Sequence, residues 1–214
     1  MVDYSIGTVA LQQAGGVLTS FPNVIEKTHV KRNGKPTGEP KYSANFEFEP
    51  DSPDLARCKA AAVAVAREQW PGVDLKTLKF PFEDGTRLAD KAEANSKKRE
   101  WSRGKAVLTA RTTTELELSA IVAGQYREFP DRKLAKPYFY TGVFCGAEFL
   151  FKAYDAIDEN GKPGVTCYLQ KIISLNVGKK LTNGASSAEI FKHYVGMAKA
   201  EDPTAGMDDD EIPF

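Results

Sequence analysis

The side chains best suited to binding a ligand are lysines and arginines that lie next to aromatic residues. The richest segment, residues 96–105, holds five bases, one acid and a tryptophan. Cations neutralise phosphates and flat rings stack on nucleobases, so this combination favours an unpaired polynucleotide as ligand. The candidates are Lys97, Lys98, Arg99, Trp101, Arg103 and Lys105, with Arg111 extending the track on the next strand. The competing interpretation is a solvated loop whose tryptophan folds back onto the protein.

A second cluster of the same kind lies at residues 132–140, where three rings follow one another. Successive side chains of an extended chain point to opposite sides, so we expect Tyr138 and Tyr140 outward and Phe139 inward. The candidates here are Arg132, Lys133, Lys136, Tyr138 and Tyr140, followed by Phe144, Lys152 and Tyr154 on the next strand. A second core beneath an inserted helix is the alternative for Phe144 and Tyr154.

A third basic segment, residues 27–41, has five bases and one acid among turn-forming residues. We interpret it as a loop or hairpin tip in which Lys31, Arg32 and Lys35 clamp phosphates, or as a merely solvated hairpin.

The formal net charge of zero conceals an uneven distribution of charge along the chain. Residues 201–214 hold six acids and no lysine or arginine, which leaves 23 acids against 29 bases in residues 1–200. A basic body with an acidic end indicates a polyanionic partner for the body. The low apolar content of residues 200–214 predicts a segment that is disordered when free.

The elements that must position these side chains are mainly strands. Strict alternation predicts a half-buried strand at 42–49, with Tyr42, Ala44, Phe46 and Phe48 on one side. Ser52 as N-cap and Pro53 at the first position begin a helix of about 53–70, in which Trp70 is expected to be core. Further strands are expected at 105–113, 115–122, 142–155 and 165–177, and a short helix near 187–199. Residues 73–104 are expected to be mostly irregular, and residues 127–137 to form a loop. One helix inserted among β-segments predicts an OB-fold-like antiparallel barrel, domain 1–199.

Missing motifs and the spacing of cysteines and histidines argue against several classes of protein. No P-loop, H-E-x-x-H or nucleophile-elbow motif occurs, so we expect no enzyme and no cofactor. The three widely spaced cysteines are expected to be buried thiols, and the two distant histidines do not indicate a metal site. No apolar run is long enough for a membrane helix, and we expect a cytoplasmic protein without a membrane partner.

Two resemblances point to a function. The final residues, Asp208, Asp209, Asp210, Glu211, Ile212, Pro213 and Phe214, resemble the C-terminal tip of bacterial single-stranded DNA-binding proteins. The resemblance implies that these residues recruit replication, recombination or repair proteins. A ring and a carboxylate on one residue suit an apolar pocket with a basic rim, with the aspartates steering approach. A solubilising tail is the alternative.

The body resembles phage-encoded single-stranded DNA-binding proteins with an OB-fold, over about residues 8–192. The similarity rests on Pro40-Lys41-Tyr42-Ser43, on the helix that ends near Trp70, on Tyr140-Thr141-Gly142 before a long strand, and on Gly178-Lys179-Lys180-Leu181. It implies sequence-independent binding of single-stranded DNA in the host cytoplasm, with the oligomeric state, monomer or dimer, left open. An annealing recombination protein and an adaptor that does not bind DNA remain alternatives.

Deleting residues 201–214 should tighten binding of a single-stranded oligonucleotide. Opposite charges should draw the acidic residues 201–214 onto the basic body of the chain. We therefore expect the tail to compete with DNA, most strongly at low salt. The measurement is a binding titration of both proteins at low and moderate salt. Equal affinities of the intact and the shortened protein would rule out the competition.

Overall fold

The structure is a computed structural model that describes residues 7–32, 35–156 and 161–181, with only the backbone at 30–32 and 35. Its elements in chain order are β1 (Thr8–Ala10), β2 (Val17–Arg32), β3 (Lys35–Phe48), α1 (Pro53–Gln69), β4 (Phe82–Asp84), α2 (Gly85–Glu93), β5 (Ala106–Thr112), β6 (Glu117–Val122), β7 (Gln125–Glu128), α3 (Arg132–Ala135), β8 (Val143–Tyr154) and β9 (Gly164–Ser174). Short 3₁₀ helices lie at Leu75–Thr77, Glu100–Ser102 and Lys136–Tyr138.

The central strand β3 shows the alternation predicted from its sequence. Tyr42, Ala44, Phe46 and Phe48 are all buried, and the Phe46 ring meets the Phe149 ring of β8 edge to face with centroids 4.8 Å apart. β3 pairs with β2 on one side and with β5 on the other, both antiparallel. The inward residues of these strands therefore build the core of the barrel.

The remaining pairings close the sheet into a barrel. β2 pairs with β8, and β8 pairs with β9, again antiparallel. Between β9 and β5 lies the segment 79–84: the Lys79 N–H donates to the Pro163 carbonyl (3.0 Å), the Val165 N–H donates to the Lys79 carbonyl (2.8 Å), and β4 pairs with β5. The result is the predicted OB-like arrangement of β2, β3, β5, β9 and β8. Strand β6 pairs in parallel with the end of β9 and carries β7 as an outer hairpin strand.

Helix α1 begins and ends where its sequence predicts. The Ser52 hydroxyl accepts from the Leu55 N–H (3.4 Å), and Pro53 fills the first turn, where its missing N–H has no cost. Leu55, Cys58 and other residues of one stripe are buried against β8, β1 and β9. Trp70 follows the helix, half-buried against the core as expected.

Other segments are more regular than their sequence suggested. Residues 73–104, expected to be irregular, contain α2, which begins where the Asp84 carboxylate accepts from the N–H groups of Thr86 (2.7 Å) and Arg87 (3.2 Å). The loop expected at 127–137 contains part of β7 and α3. Most of 27–41 belongs to the long strands β2 and β3, whose pairing extends to Arg32 opposite Lys35. The predicted helix near 187–199, the tail 200–214 and the domain boundary between them lie outside the described residues.

The three cysteines are buried free thiols, as predicted. Burial raises the pKa of Cys58 and of Cys145 to about 12, so both thiols stay protonated at neutral pH. Among the described residues, no helix is long and apolar enough to cross a membrane. The same part of the chain holds no group of three or more His, Cys, Asp or Glu residues arranged to bind a metal ion.

Replacing Asp54 with alanine should destabilise the fold by about 2–4 kcal/mol. This buried carboxylate accepts from the N–H groups of Gln12 (3.0 Å) and Gln13 (2.9 Å) and pairs with Arg57, so its loss leaves three donors without their acceptor. Urea unfolding measures the change. The control Asp51→Ala removes an exposed acid nearby and should alter stability by less than about 0.5 kcal/mol. Equal effects of the two substitutions would contradict this account of Asp54.

Candidate nucleic-acid interface

The outward side of β2, β3 and β5 forms a stripe of polar side chains. Ser43 lies opposite Arg111, and Asn45 lies opposite Thr109, whose hydroxyl donates to the Asn45 amide oxygen (3.0 Å). Asn23 of β2 pairs with Ser43, and its amide donates to the Ser43 hydroxyl (3.4 Å). These residues, the polar stripe, alternate with the core residues of the same strands. In OB-folds this face, on the second and third barrel strands, is the one that binds oligonucleotides.

Phe21 stands at one end of the polar stripe in an unusual conformation. Its φ of 48° is in the left-handed region, which costs a residue other than glycine about 1–3 kcal/mol. The strain occurs where the β2–β3 register shifts between Ser20 and Asn23, next to Pro22, which has no N–H for the sheet. The Phe21 N–H donates instead to the Thr141 hydroxyl (3.0 Å). The backbone thus holds a half-buried ring at the edge of the polar stripe.

Two residues of the segment 95–105 pack against Phe21. The Trp101 ring lies 6.1 Å from the Phe21 ring at an interplanar angle of 48°, and the Arg99 guanidinium lies 5.2 Å above the Phe21 ring. Phe21, Arg99 and Trp101 form what we call the ring wall. Trp101 is half-buried: its side chain folds back onto the barrel but keeps part of its surface exposed. It therefore combines features of both interpretations of the sequence, a ring available to DNA and a ring packed on the protein.

The ring wall contacts the buried carboxylate of Glu47, which the alternation of β3 predicts on the solvent-exposed side. Glu47 of β3 accepts from the Ser20 hydroxyl (2.5 Å) and from the Arg99 guanidinium (3.3 Å), and its side chain is 0% exposed. Arg99 also donates to the Ser102 hydroxyl (2.9 Å). Glu47 was missed because alternation assigns it to the outer face, and only the packing of residues 95–105 on that face buries it.

A glycine lets the segment 95–105 approach α2. The Gly85 N–H donates to the Lys105 carbonyl (2.9 Å), and a Cβ at Gly85 would lie 1.9 Å from the Ser102 carbonyl oxygen. Any side chain there would push Ser102 away, and with it the hydroxyl that orients Arg99. Gly85 is therefore a positioning residue for the ring wall.

The other cations of this segment differ in availability. Arg103 pairs with Asp90 and Glu100, each at 2.7 Å, and Lys105 pairs with Glu49 at 3.2 Å, so both charges are already neutralised. Lys97, Lys98 and Arg111 are exposed and have no ion pair with the described residues. Of the basic residues that the sequence singled out here, these three are the ones free to contact phosphates.

Arg132 has a structural role that its sequence did not reveal. Its guanidinium donates to the carbonyls of Val24 (2.9 Å) and Leu116 (2.7 Å), pairs with Glu115 (2.6 Å) and lies 4.3 Å above the Tyr42 ring. Burial raises the pKa of Glu115, whereas the hydrogen bond from the Tyr42 hydroxyl and the charges of Arg132 and Lys27 lower it. The lowering effects are larger together, so the pKa of Glu115 lies below its ordinary value. These contacts occupy the guanidinium within the protein.

The rings around residue 140 are more buried than expected. Phe139 is buried as predicted, but Tyr138 is half-buried and stacks on Phe129 with centroids 5.1 Å apart. Tyr140 is also half-buried, and its hydroxyl donates to the Gly178 carbonyl (3.1 Å). Both tyrosines pack against the core, which corrects the prediction that they point outward. The neighbouring Lys133 and Lys136 are exposed.

On β8, Phe144 and Tyr154 are half-buried, and burial raises the pKa of Tyr154. Phe144 lies close to the backbone of Gly178. Lys152 is exposed, and its ammonium lies 5.7 Å above the ring of Tyr168, which is 38% exposed. The sequence did not single out Tyr168, because a lone tyrosine on a β-strand gives no sign of which side will be covered.

Some predicted site residues lie beyond what the structure describes. Lys31, Arg32 and Lys35 have backbone positions at the end of the β2–β3 hairpin, but their side chains are not described. The acidic tip at 208–214 lies outside the described residues.

One family model matches most of the chain. The family model of the single-stranded DNA-binding protein of Enterobacter phage Enc34 matches residues 10–204. The chain belongs to this family. A search of curated proteins found no match.

Solved structures of the phage Enc34 protein have the same fold. The structure titled as a complex with single-stranded DNA has a TM-score of 0.60 at 15% identity and covers 82% of this chain and 90% of its own. A C-terminally truncated form has a TM-score of 0.59 at 16% identity and covers 82% of this chain and 88% of its own. At this identity the likeness shows the OB-like fold alone.

Replacing Arg132 with alanine should lower the free energy of unfolding by about 1–3 kcal/mol, because two backbone carbonyls lose their donor. Urea unfolding measures the loss. Lys133→Ala removes an exposed neighbouring charge and should change stability by less than about 0.5 kcal/mol. If Arg132→Ala were as stable as Lys133→Ala, the guanidinium would be free for another role.

Proposed function

We propose that this protein binds single-stranded DNA of any sequence, along the polar stripe and past the ring wall. The observation that carries the proposal is the position of Phe21, Arg99 and Trp101 at one end of the polar stripe on the outer face of an OB-like barrel. Family membership supports it, since the matching family is described as single-stranded DNA-binding.

The chemistry of the surface fits an unpaired strand. Half-buried rings offer faces on which bases stack, each worth about 1–3 kcal/mol. The hydroxyl and amide groups of the polar stripe offer donors and acceptors to sugars and bases, and Arg111, Lys97 and Lys98 offer cations for phosphates. Lys152 beside Tyr168 adds a second pairing of cation and ring.

In the cell, this binding would protect single-stranded DNA during phage replication, recombination and repair in the host cytoplasm. The acidic tip would recruit partner enzymes through Ile212 and Phe214, with Asp208–Asp210 attracting a basic rim. We propose no catalytic activity for the chain.

An annealing recombination protein is the second candidate, because it would share the basic and aromatic surface. Annealing proteins commonly assemble into rings, so mass measurement with and without oligonucleotide separates the two functions.

Arg111→Ala should weaken binding of single-stranded oligonucleotides of any sequence. Loss of one phosphate contact should reduce the slope of log affinity against log salt by about 0.7 in magnitude. The measurement is fluorescence anisotropy of a labelled oligonucleotide at several salt concentrations, with a duplex as competitor.

The control for Arg111→Ala is Arg67→Ala, which removes an equal charge from the exposed last turn of α1. It should leave the salt slope unchanged. Equal slopes for both variants would place DNA elsewhere, and a wild-type protein that binds single strands no better than duplex would reject the proposed function.

A further inference from the structure

Glu47 and Trp101 leave two polar atoms without partners in the same part of the molecule. Glu47 Oε2 and Trp101 Nε1 are buried and have no hydrogen-bond partner among the described residues. A buried polar atom without a partner costs about 1–3 kcal/mol, so each calls for a physical explanation. One atom accepts and the other donates, and both belong to the layer formed by the ring wall and β3.

The contacts of Arg99 indicate what could satisfy the buried carboxylate. Its planar guanidinium covers the face of Phe21 at 5.2 Å and donates to Glu47 Oε1 at 3.3 Å. A flat group that stacks on a ring and donates N–H bonds to a carboxylate has the shape and chemistry of the N1–C2–N2 edge of guanine. Arg99 thus occupies a position in which a guanine base would make the same two interactions.

We infer that Glu47, Phe21 and Trp101 form a guanine-preferring base pocket that Arg99 fills when no DNA is bound; the inference rests on the proposed function. Guanine N1–H and N2–H donate to the two oxygens of Glu47, its ring stacks on Phe21, and Trp101 Nε1 donates to O6. Displaced from Glu47, Arg99 pairs with a phosphate of the same strand. The left-handed φ of Phe21 fixes the backbone that carries the stacking ring, and Arg99 contacts both this ring and Glu47.

The carboxylate also discriminates against the other bases. Thymine presents one N–H between two carbonyl oxygens, which repel Glu47, whereas adenine and cytosine each present one amino group beside a ring-nitrogen acceptor. Only guanine offers two adjacent donors to the two carboxylate oxygens. Glu47 is therefore a specificity-determining residue within a surface that otherwise ignores sequence.

The test compares oligo-dT carrying a single central guanine with oligo-dT alone, by fluorescence anisotropy at fixed salt. Guanine should bind about fivefold to tenfold more tightly, within the range of one bidentate base contact. Hypoxanthine, which lacks the N2 amino group, should lose most of this gain. The matched control, 7-deazaguanine, keeps the paired-donor edge and should retain the gain.

Glu47→Gln tests the pocket from the protein side. The amide presents one donor and one acceptor, so the ratio of the affinities for the guanine-containing oligonucleotide and for oligo-dT should fall below about twofold. Urea unfolding of this variant shows whether it is folded. If it is not, the comparison of hypoxanthine with 7-deazaguanine on the wild-type protein decides the inference alone.

Three results would overturn the inference: equal affinity for guanine and thymine, equal affinity for guanine and hypoxanthine, or a guanine preference that persists in folded Glu47→Gln. Binding of oligo-dT itself separates this outcome from failure of the proposed function. A protein that binds oligo-dT tightly without preferring guanine keeps the function and loses the pocket.

Discussion

The contact between Glu47 and Arg99 joins the barrel to the segment that shapes its outer face. β3 sends Phe46 and Phe48 into the core and Glu47 to the other side, where Arg99 meets it. In the absence of DNA, Arg99 is the cation that compensates the charge of this buried carboxylate. Arg99 also contacts Phe21, which packs on Trp101, so this ion pair links the ring wall to β3.

The same contact explains how an acid can lie at the proposed DNA-binding face. A carboxylate repels phosphates, and an exposed one would weaken binding of any polyanion. Buried under Arg99, Glu47 presents no free charge at the surface, while its oxygens lie beside the ring wall. The strained backbone of Phe21 on the neighbouring strand fits this view, since strain of this kind persists where a site needs a fixed geometry.

The lysines and arginines that the sequence singled out differ in whether they form ion pairs within the protein. Arg103, Lys105 and Arg132 have carboxylate partners within 3.2 Å and hold segments of the protein together. Arg111, Lys97 and Lys98 are exposed beyond the reach of the described acids and are available to an outside ligand. A count of bases in a sequence cannot make this distinction, because Glu49 and Glu115 are distant in sequence from their partners Lys105 and Arg132 and meet them only in the folded chain.

The sequence by itself determined the elements whose signals are local. The alternation of β3, the cap and stripe of α1 and the long β8–β9 hairpin are each specified by neighbouring residues, and together they were enough to indicate the OB-like barrel. Only the tertiary structure decided which outward residues stay exposed. The burial of Glu47, the strain at Phe21 and the inward packing of Tyr138 and Tyr140 all arise where segments distant in the chain meet. No local pattern records such contacts, since they depend on which face of the barrel another segment comes to cover.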